Sequence, residues 1–318
     1  MDPALLSSLP RENLEAAWRG CILLGMTLEQ LRVFIAVAER QHVTRAAESL
    51  NIAQSAASAS IAALEGRHGA KLFHRVGRGI EMTEAGALFL IEARAVLARA
   101  QAAELILSEL GGLKRGTLRV QASQTIASYW LPRHLVTFRR RYPGIEIRLG
   151  IGNTTQVAAA VNEGIAELGF VEGGVDDPAL GSQLVARDQL VIVVGMEHPW
   201  TQVGRLTPEC LPDSDWVLRE SGSGTRSVFE DALKGWGLSP SRLRVALELP
   251  SNESVRAAVE AGLGATALSA SVAAARIELG TLHHVGLDLP ERDFHVLRRH
   301  ERHRSKAGEA LMAIIAAA

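Results

Sequence analysis

The sequence predicts an α/β protein headed by a small helical domain with a β-wing, and three observations predict it. Residues Thr44 to Glu65 place small and apolar side chains at helical spacing on both sides of a short break. A long helix with an apolar stripe comes after the wing. From Thr117 onward, over roughly 200 residues, short apolar strands alternate with helical segments, the pattern of a domain with mainly parallel sheets.

Length and composition are compatible with this division. A chain of 318 residues fits two or three domains, and 47% hydrophobic residues can fill their cores. Aromatics make up only 4%, so those cores must be built from Ala, Val, Leu and Ile. The net charge of -1 leaves no overall electrostatic footprint for nucleic acid, and from Met26 to Gly86 seven Lys/Arg face six Asp/Glu. A DNA-binding head would therefore rely on a local basic cluster. Two distant cysteines, Cys21 and Cys210, exclude a disulfide framework and a cysteine zinc site, which suits a reducing cytoplasm. No apolar run approaches the roughly 20 residues of a membrane span. Arg11, Glu12, Glu15 and Arg19 break up the N-terminus, so an export signal is not expected.

Residues 1–25 differ in pattern from the rest and read as a disordered tail or a start-site artefact. Thr27 is placed to cap a helix that buries Leu31, Phe34, Ile35, Val37 and Ala38. In the next segment Ala46, Ala47 and Leu50 form the inner face of a short helix. Asn51 tolerates the left-handed conformation that a tight turn needs, and Ile52 points inward. Ala57, Ile61 and Leu64 then line the inner face of a second helix. Its outer side carries Gln54, Ser55, Ser58 and Ser60, short hydrogen-bonding groups suited to base edges in a major groove. An ordinary helical hairpin is the alternative for this stretch taken alone. Gly69 to Thr83 reads as two short strands around Gly77-Arg78-Gly79, a basic wing with Arg75 and Arg78 available to phosphate or the minor groove. Thr83-Glu84-Ala85-Gly86 opens a helix to about Leu110, striped by Leu90, Leu97, Ala100, Ile106 and Leu107 and stopped by Gly111-Gly112. With no core of its own to pack on, that stripe is expected to pair with a second copy. The expected boundaries are 26–84 for the head, 85–112 for the linker and dimerisation helix, and 115–318 for the α/β domain.

In the α/β half, several strands run directly into polar helix starts: Ser123-Gln124-Thr125, Gly152-Asn153-Thr154, Ser221 to Arg226, and Ser251-Asn252. These are carboxyl ends of strands, where open α/β sheets bind ligands, and free N–H groups at helix starts favour an anion. Ser123, Thr125, Ser223 and Thr225 add hydroxyl donors, and Arg226 a charge. N-capping alone would explain any one of them; four together predict a pocket for a compact, polar, anionic molecule. Catalytic signals are weak. Ser221-Gly222-Ser223-Gly224 lacks the glycine spacing of a nucleophile elbow. Gly262-Leu263-Gly264 follows a helix and leads into a strand, the wrong order for dinucleotide binding. His283-His284 and the His300/His303 pair have no carboxylate cluster beside them, so no metal and no cofactor is expected. A transporter's solute-binding protein would need an export signal and no helix-turn-helix, the reverse of this chain.

These pieces in this order resemble the LysR-type transcriptional regulators, over Met26 to nearly the C-terminus. The most specific matches are Leu31 to Glu39, Thr44 to Leu50, Leu64-Glu65, Lys71 to Arg75 and Met82 to Gly86. The second helix departs from the usual pattern: Gln54 and Ser58 match, but Ala59 replaces a frequent arginine. The resemblance implies a winged helix-turn-helix that binds double-stranded promoter DNA, with specificity resting on Gln54, Ser55 and Ser58, Thr44 and Ser60 also at the DNA, and Arg45, Arg75 and Arg78 as backbone anchors. It also implies a two-lobed effector domain like a periplasmic binding protein, with a cleft holding Ser123, Gln124, Thr125, Asn153, Thr154, Glu172, Ser221, Ser223, Thr225, Arg226 and Asn252. The chain would cross between lobes near Gly152–Gly174 and return near Gly280. Homodimers assembling to homotetramers in the cytoplasm are implied, with RNA polymerase as a further partner. Ser123 to Ile126, Gly169 to Gly173 and Arg219 to Arg226 look most like the branch tied to sulfur metabolism, whose effectors are sulfite or related oxyanions. A neighbouring branch that controls carbon-fixation genes shares part of the pattern.

Overall fold

The computed structural model describes residues 25–77, 79–110, 116–300 and 304–318, with the side chains of 101–102 and 105–110 excepted. The proposed tail up to residue 24, Arg78, Gly111-Gly112 and His303 lie outside the described residues, as do the side chains of Ile106 and Leu107. The chain forms two compact units divided after Ala100.

The first unit is built on three helices, α1 (Leu28–Arg40), α2 (Val43–Ser49) and α3 (Gln54–His68), followed by β1 (Phe73–Val76), β2 (Gly79–Met82) and the start of α4 (Glu84–Leu110). Thr27 caps α1 in a reciprocal box with Gln30. Its core holds Leu31, Phe34, Val37, Ala46, Ala47, Ala57, Ile61 and Leu64, joined by Leu72, Phe73 and Ala93. Alanines at the crossing points let the helices approach closely. Asn51 takes the left-handed conformation in the turn, with φ 55. Gly86 is needed for close approach: a Cβ there would lie 2.3 Å from the Leu72 carbonyl oxygen.

The second unit contains two sheets that share a strand. One runs β4 (Ile145–Gly152), β3 (Gly116–Ser123), β5 (Leu168–Glu172), β11 (Glu291–Arg299), β6 (Leu180–Gly195). The other continues from β6 through β9 (Ala265–Ser269) and β7 (Asp215–Arg219) to β8 (Arg244–Leu249), with β10 (Leu282–His284) on the far side of β6. Pairing is parallel among β3, β4 and β5 and among β7, β8 and β9, but antiparallel wherever β6 or β11 takes part. Helices α5 (Leu131–Arg141), α6 (Thr154–Asn162) and α10 (Lys306–Ala316) belong to the first lobe. Helices α7 (Gly224–Gly235), α8 (Asn252–Glu260) and α9 (Ala270–Glu278) belong to the second. Each lobe has apolar cores on both faces of its sheet.

The crossings differ from expectation. The chain passes between lobes on β6 and returns on β11, not near Gly152–Gly174 and Gly280. Residues Leu180 to Gln189 of β6 pair with β11, and Leu190 to Val194 pair with β9. One strand of 16 residues thus serves both sheets. Arg187, Asp188 and Gln189 interrupt its apolar residues, which hides the continuous strand from an apolar-run reading. A π-helical turn over Ile126–Trp130 leads into α5. Pro132 cannot donate, and the Leu131 N–H reaches back to the Ile126 carbonyl instead.

Candidate functional site

The head presents one polar helix face. Thr44, Arg45, Gln54 and Ser55 are exposed, and Ser58 and Ser60 are half-buried, while Ala57, Ile61 and Leu64 fill the core behind them. Gln54 Nε2 donates to Ser58 Oγ at 3.1 Å, so the two side chains form one hydrogen-bonding unit. No side chain caps α3 at Ala53, which leaves the first N–H groups of the helix open to a phosphate. On the wing, Arg75 is exposed on β1, and the turn passes through Gly77 with φ 58. Glu65 fixes the wing to α3. Its carboxylate accepts from Leu72 N at 2.9 Å, Phe73 N at 3.2 Å and Lys71 Nζ at 2.7 Å. Burial alone would raise this carboxyl's pKa, but the Lys71 hydrogen bond and the two backbone donors outweigh it and hold it below the usual carboxylate range.

The α4 stripe is divided differently from expectation. Leu90 and Leu97 pack on the head's own core with Phe89 and Ala93. Among the described side chains of α4, Leu88, Ile91 and Val96 are the large apolar ones left outside, 64%, 58% and 42% exposed. The helix is apolar nearly all round, and only the fold of the head decides which side it keeps for itself.

In the second unit, the strand tips meet across the two lobes. Ser123, Thr125 and Glu172 from the first lobe and Arg219, Ser223, Thr225 and Asn252 from the second are all buried. Asn252, 0% exposed, is the junction. Its Nδ2 donates to Thr125 Oγ1 at 3.0 Å, its backbone N–H donates to Gln124 Oε1 at 2.7 Å, and Arg219 donates to its Oδ1. Gln124 also donates to Glu253 at 3.0 Å, and Asn153 to Glu220 at 3.3 Å. The Thr155 N–H donates to the Gly222 carbonyl at 3.3 Å. Thr154 stays within its lobe, donating to the Glu172 carbonyl at 3.4 Å. The Ser123 hydroxyl is buried without a hydrogen-bond partner, a situation that costs about 1–3 kcal/mol unless another group supplies one.

Two expected ligand residues differ from this buried set. Ser221 is exposed. The Arg226 guanidinium is occupied by Glu230 at 2.7 Å, by Glu248 and by the Arg219 carbonyl. Burial would lower its pKa, but Glu230 and Glu248 raise it. The guanidinium that does reach the cleft hydroxyls is Arg292 on β11, 2% exposed, which donates to Thr225 Oγ1 at 3.0 Å and to Asp188 Oδ2 at 2.7 Å. Its Nη2 lies 2.6 Å from the same carboxylate oxygen but lacks hydrogen-bond alignment. Ser269 completes the group by donating to Asp188 at 2.9 Å. Arg292 shares a strand face with buried Phe294 and Val296. An arginine at an inward period-two position was the sequence signal for it, had β11 been recognised.

Comparison with known proteins follows the same two-part division. Residues 28–87 match the family described as bacterial regulatory helix-turn-helix protein, lysR family, and residues 111–318 match the LysR substrate binding domain. The HTH-type transcriptional regulator YeiE of Escherichia coli K12 is 35% identical over 277 residues, 87% of this chain and 92% of that protein. A "Probable RuBisCO transcriptional regulator" of Nostoc sp. is 32% identical over 292 residues, 90% of this chain and 87% of its own length. Among solved structures, the Synechocystis CcmR regulatory domain in complex with 2-PG is 25% identical with TM-score 0.58, covering 64% of this chain and 97% of that one.

Proposed function

We propose, from the premise that the chain belongs to the LysR family of DNA-binding transcriptional regulators, that α3 reads promoter DNA and that a small anion held between the two lobes controls it. The family is one of regulators, not enzymes. The observation that carries the DNA half is the outward pairing of Gln54 with Ser58 on a helix whose other face is core. Arg45 and Arg75 serve as phosphate anchors beside it. In the test, footprinting of DNA upstream of the protein's own and neighbouring genes gives a protected, partly palindromic site whose halves lie about one helical turn apart. Protection that is independent of sequence and disappears with salt overturns this reading.

The same premise supports a homodimer that assembles further in the cytoplasm, beside RNA polymerase. No described helix is long and apolar enough to cross a membrane. The exposed Leu88, Ile91 and Val96 of α4 supply the apolar face that a partner helix would cover. Ile91→Glu is expected to lower the assembly mass by half or more in light scattering while the effector domain's melting stays unchanged. An unchanged mass removes α4 from the interface.

The effector stands on the cleft residues. Ser123, Thr125, Ser223, Thr225 and the start of α7 supply donors, which suits a compact oxyanion. The sulfite-responsive assignment rests on those residues alone. The Nostoc relative's name and the 2-PG complex of CcmR favour the second reading, a regulator of carbon-fixation genes whose effector is a metabolite.

A further inference from the structure

We infer that Glu172 makes the cleft selective for anions that carry a proton of their own, so that a hydrogenphosphate group is accepted and fully ionised sulfate is refused. This deepens the cleft reading above and rests on it.

Every cationic side chain named in the cleft already has its carboxylate. Arg219 is held by both oxygens of Glu220, at 2.8 and 2.9 Å. Arg292 is matched by Asp188, and Arg226 by Glu230 and Glu248. Glu172 is the carboxylate left over. It ends β5 and is only 3% exposed, yet among the described residues no hydrogen bond or ion pair reaches its carboxylate; only its backbone carbonyl is used, by Thr154. It packs against the start of α7: a Cβ on Gly224 would lie 3.1 Å from the Glu172 Cβ and 2.6 Å from its carbonyl oxygen. Gly224 stands between Ser223 and Thr225, two buried hydroxyl residues at the start of α7. An acceptor therefore stands beside a set of donors.

An ionised carboxylate only accepts. Against a sulfate oxygen it offers repulsion, with no proton between them and with the charges of Arg219, Arg226 and Arg292 already matched by carboxylates. Against the hydroxyl of a hydrogenphosphate, or of a comparable group with one acidic proton, the same contact becomes a charge-assisted hydrogen bond. A site built to pair a ligand hydroxyl rejects the analogue without it by far more than a shape mismatch would, because its own buried group is left unpaired. Sulfate and hydrogenphosphate are the informative pair: above the second phosphate ionisation both are tetrahedral dianions, and they differ by the proton.

Calorimetry on the full-length protein at about pH 8, with sodium phosphate and sodium sulfate as probes, tests this. Wild type is expected to bind phosphate at least ~100-fold more tightly than sulfate. Glu172→Gln keeps the shape and adds a donor, and it is expected to bring the two affinities within about tenfold, mainly by admitting sulfate. Equal binding of both anions by wild type overturns the selectivity and leaves the cleft reading intact. So does a Gln variant that keeps the phosphate preference. If wild type binds neither anion, the small-oxyanion reading of the cleft falls, and this inference with it.

Discussion

Arg292→Met is expected to lower the melting temperature of the effector domain by about 10 °C and to abolish anion binding. The first effect follows from what the substitution leaves behind. Arg292 is buried against Asp188, whose one other donor among the described residues is Ser269. Removing one member of a buried ion pair leaves an uncompensated charge, at a cost of about 3–5 kcal/mol. For a domain of this size each kcal/mol shifts the midpoint by about 2–4 °C. The second effect follows from position. Arg292 sits on β11, one of the two crossing strands, and its Nη1 holds the Thr225 hydroxyl at the start of α7. Without it Thr225 loses the donor that orients its own proton. The double variant Asp188→Asn with Arg292→Met separates the two effects, because it removes the stranded charge without restoring the guanidinium. It is expected to recover most of the melting temperature and none of the anion binding by calorimetry. Recovered binding would show that Arg292 serves stability alone.

How much of this was legible in the sequence depended on range. The helix-turn-helix was legible because its signals are local: Ala46, Ala47, Ala57 and Leu64 fall at helical spacing, and Asn51 stands where a left-handed residue is required. Ser123, Thr125, Ser223, Thr225 and Asn252 were legible for a related reason, since a strand end followed by a helix start is a short pattern. All five are buried, and Asn252 is hydrogen-bonded to Thr125. The crossings were not legible, because β6 and β11 gain their identity from each other. Arg187, Asp188 and Gln189 on one, and Glu291, Arg292 and Asp293 on the other, look like a solvated loop until the two strands are paired. With β11 unrecognised, Arg292 could not be chosen, and Arg226 took its place on proximity in sequence to Thr225. The α4 stripe failed for another reason. Leu88, Leu90, Ile91, Val96 and Leu97 supply two apolar faces at the same period, and periodicity cannot say which one the head covers.

Replacing Gln54 and Ser58 together with alanine is expected to reduce affinity for the protected promoter site by about 100-fold or more, with little change on unrelated DNA. Each good contact from an amide or hydroxyl to a base edge is worth about 1–3 kcal/mol of discrimination. The two residues are joined by a 3.1 Å hydrogen bond, so the losses will not be independent. Folding should survive, since Gln54 is exposed, Ser58 is half-buried, and the Ala57, Ile61 and Leu64 face is untouched. Alanine also favours the helix. Arg75→Ala provides the contrast. It removes a phosphate contact, so it should weaken specific and unrelated DNA alike and reduce the salt dependence of binding by about one counterion. Titrations of both variants against the protected site and a scrambled duplex, at two salt concentrations, compare these patterns. If the alanine pair lost specific and non-specific binding in equal proportion, α3 would be a phosphate anchor, and base reading would have to come from elsewhere on the head. The absence of a long basic side chain at Ala59 gives this test its force: with no arginine there to dominate, the amide and the hydroxyl must carry the sequence preference between them.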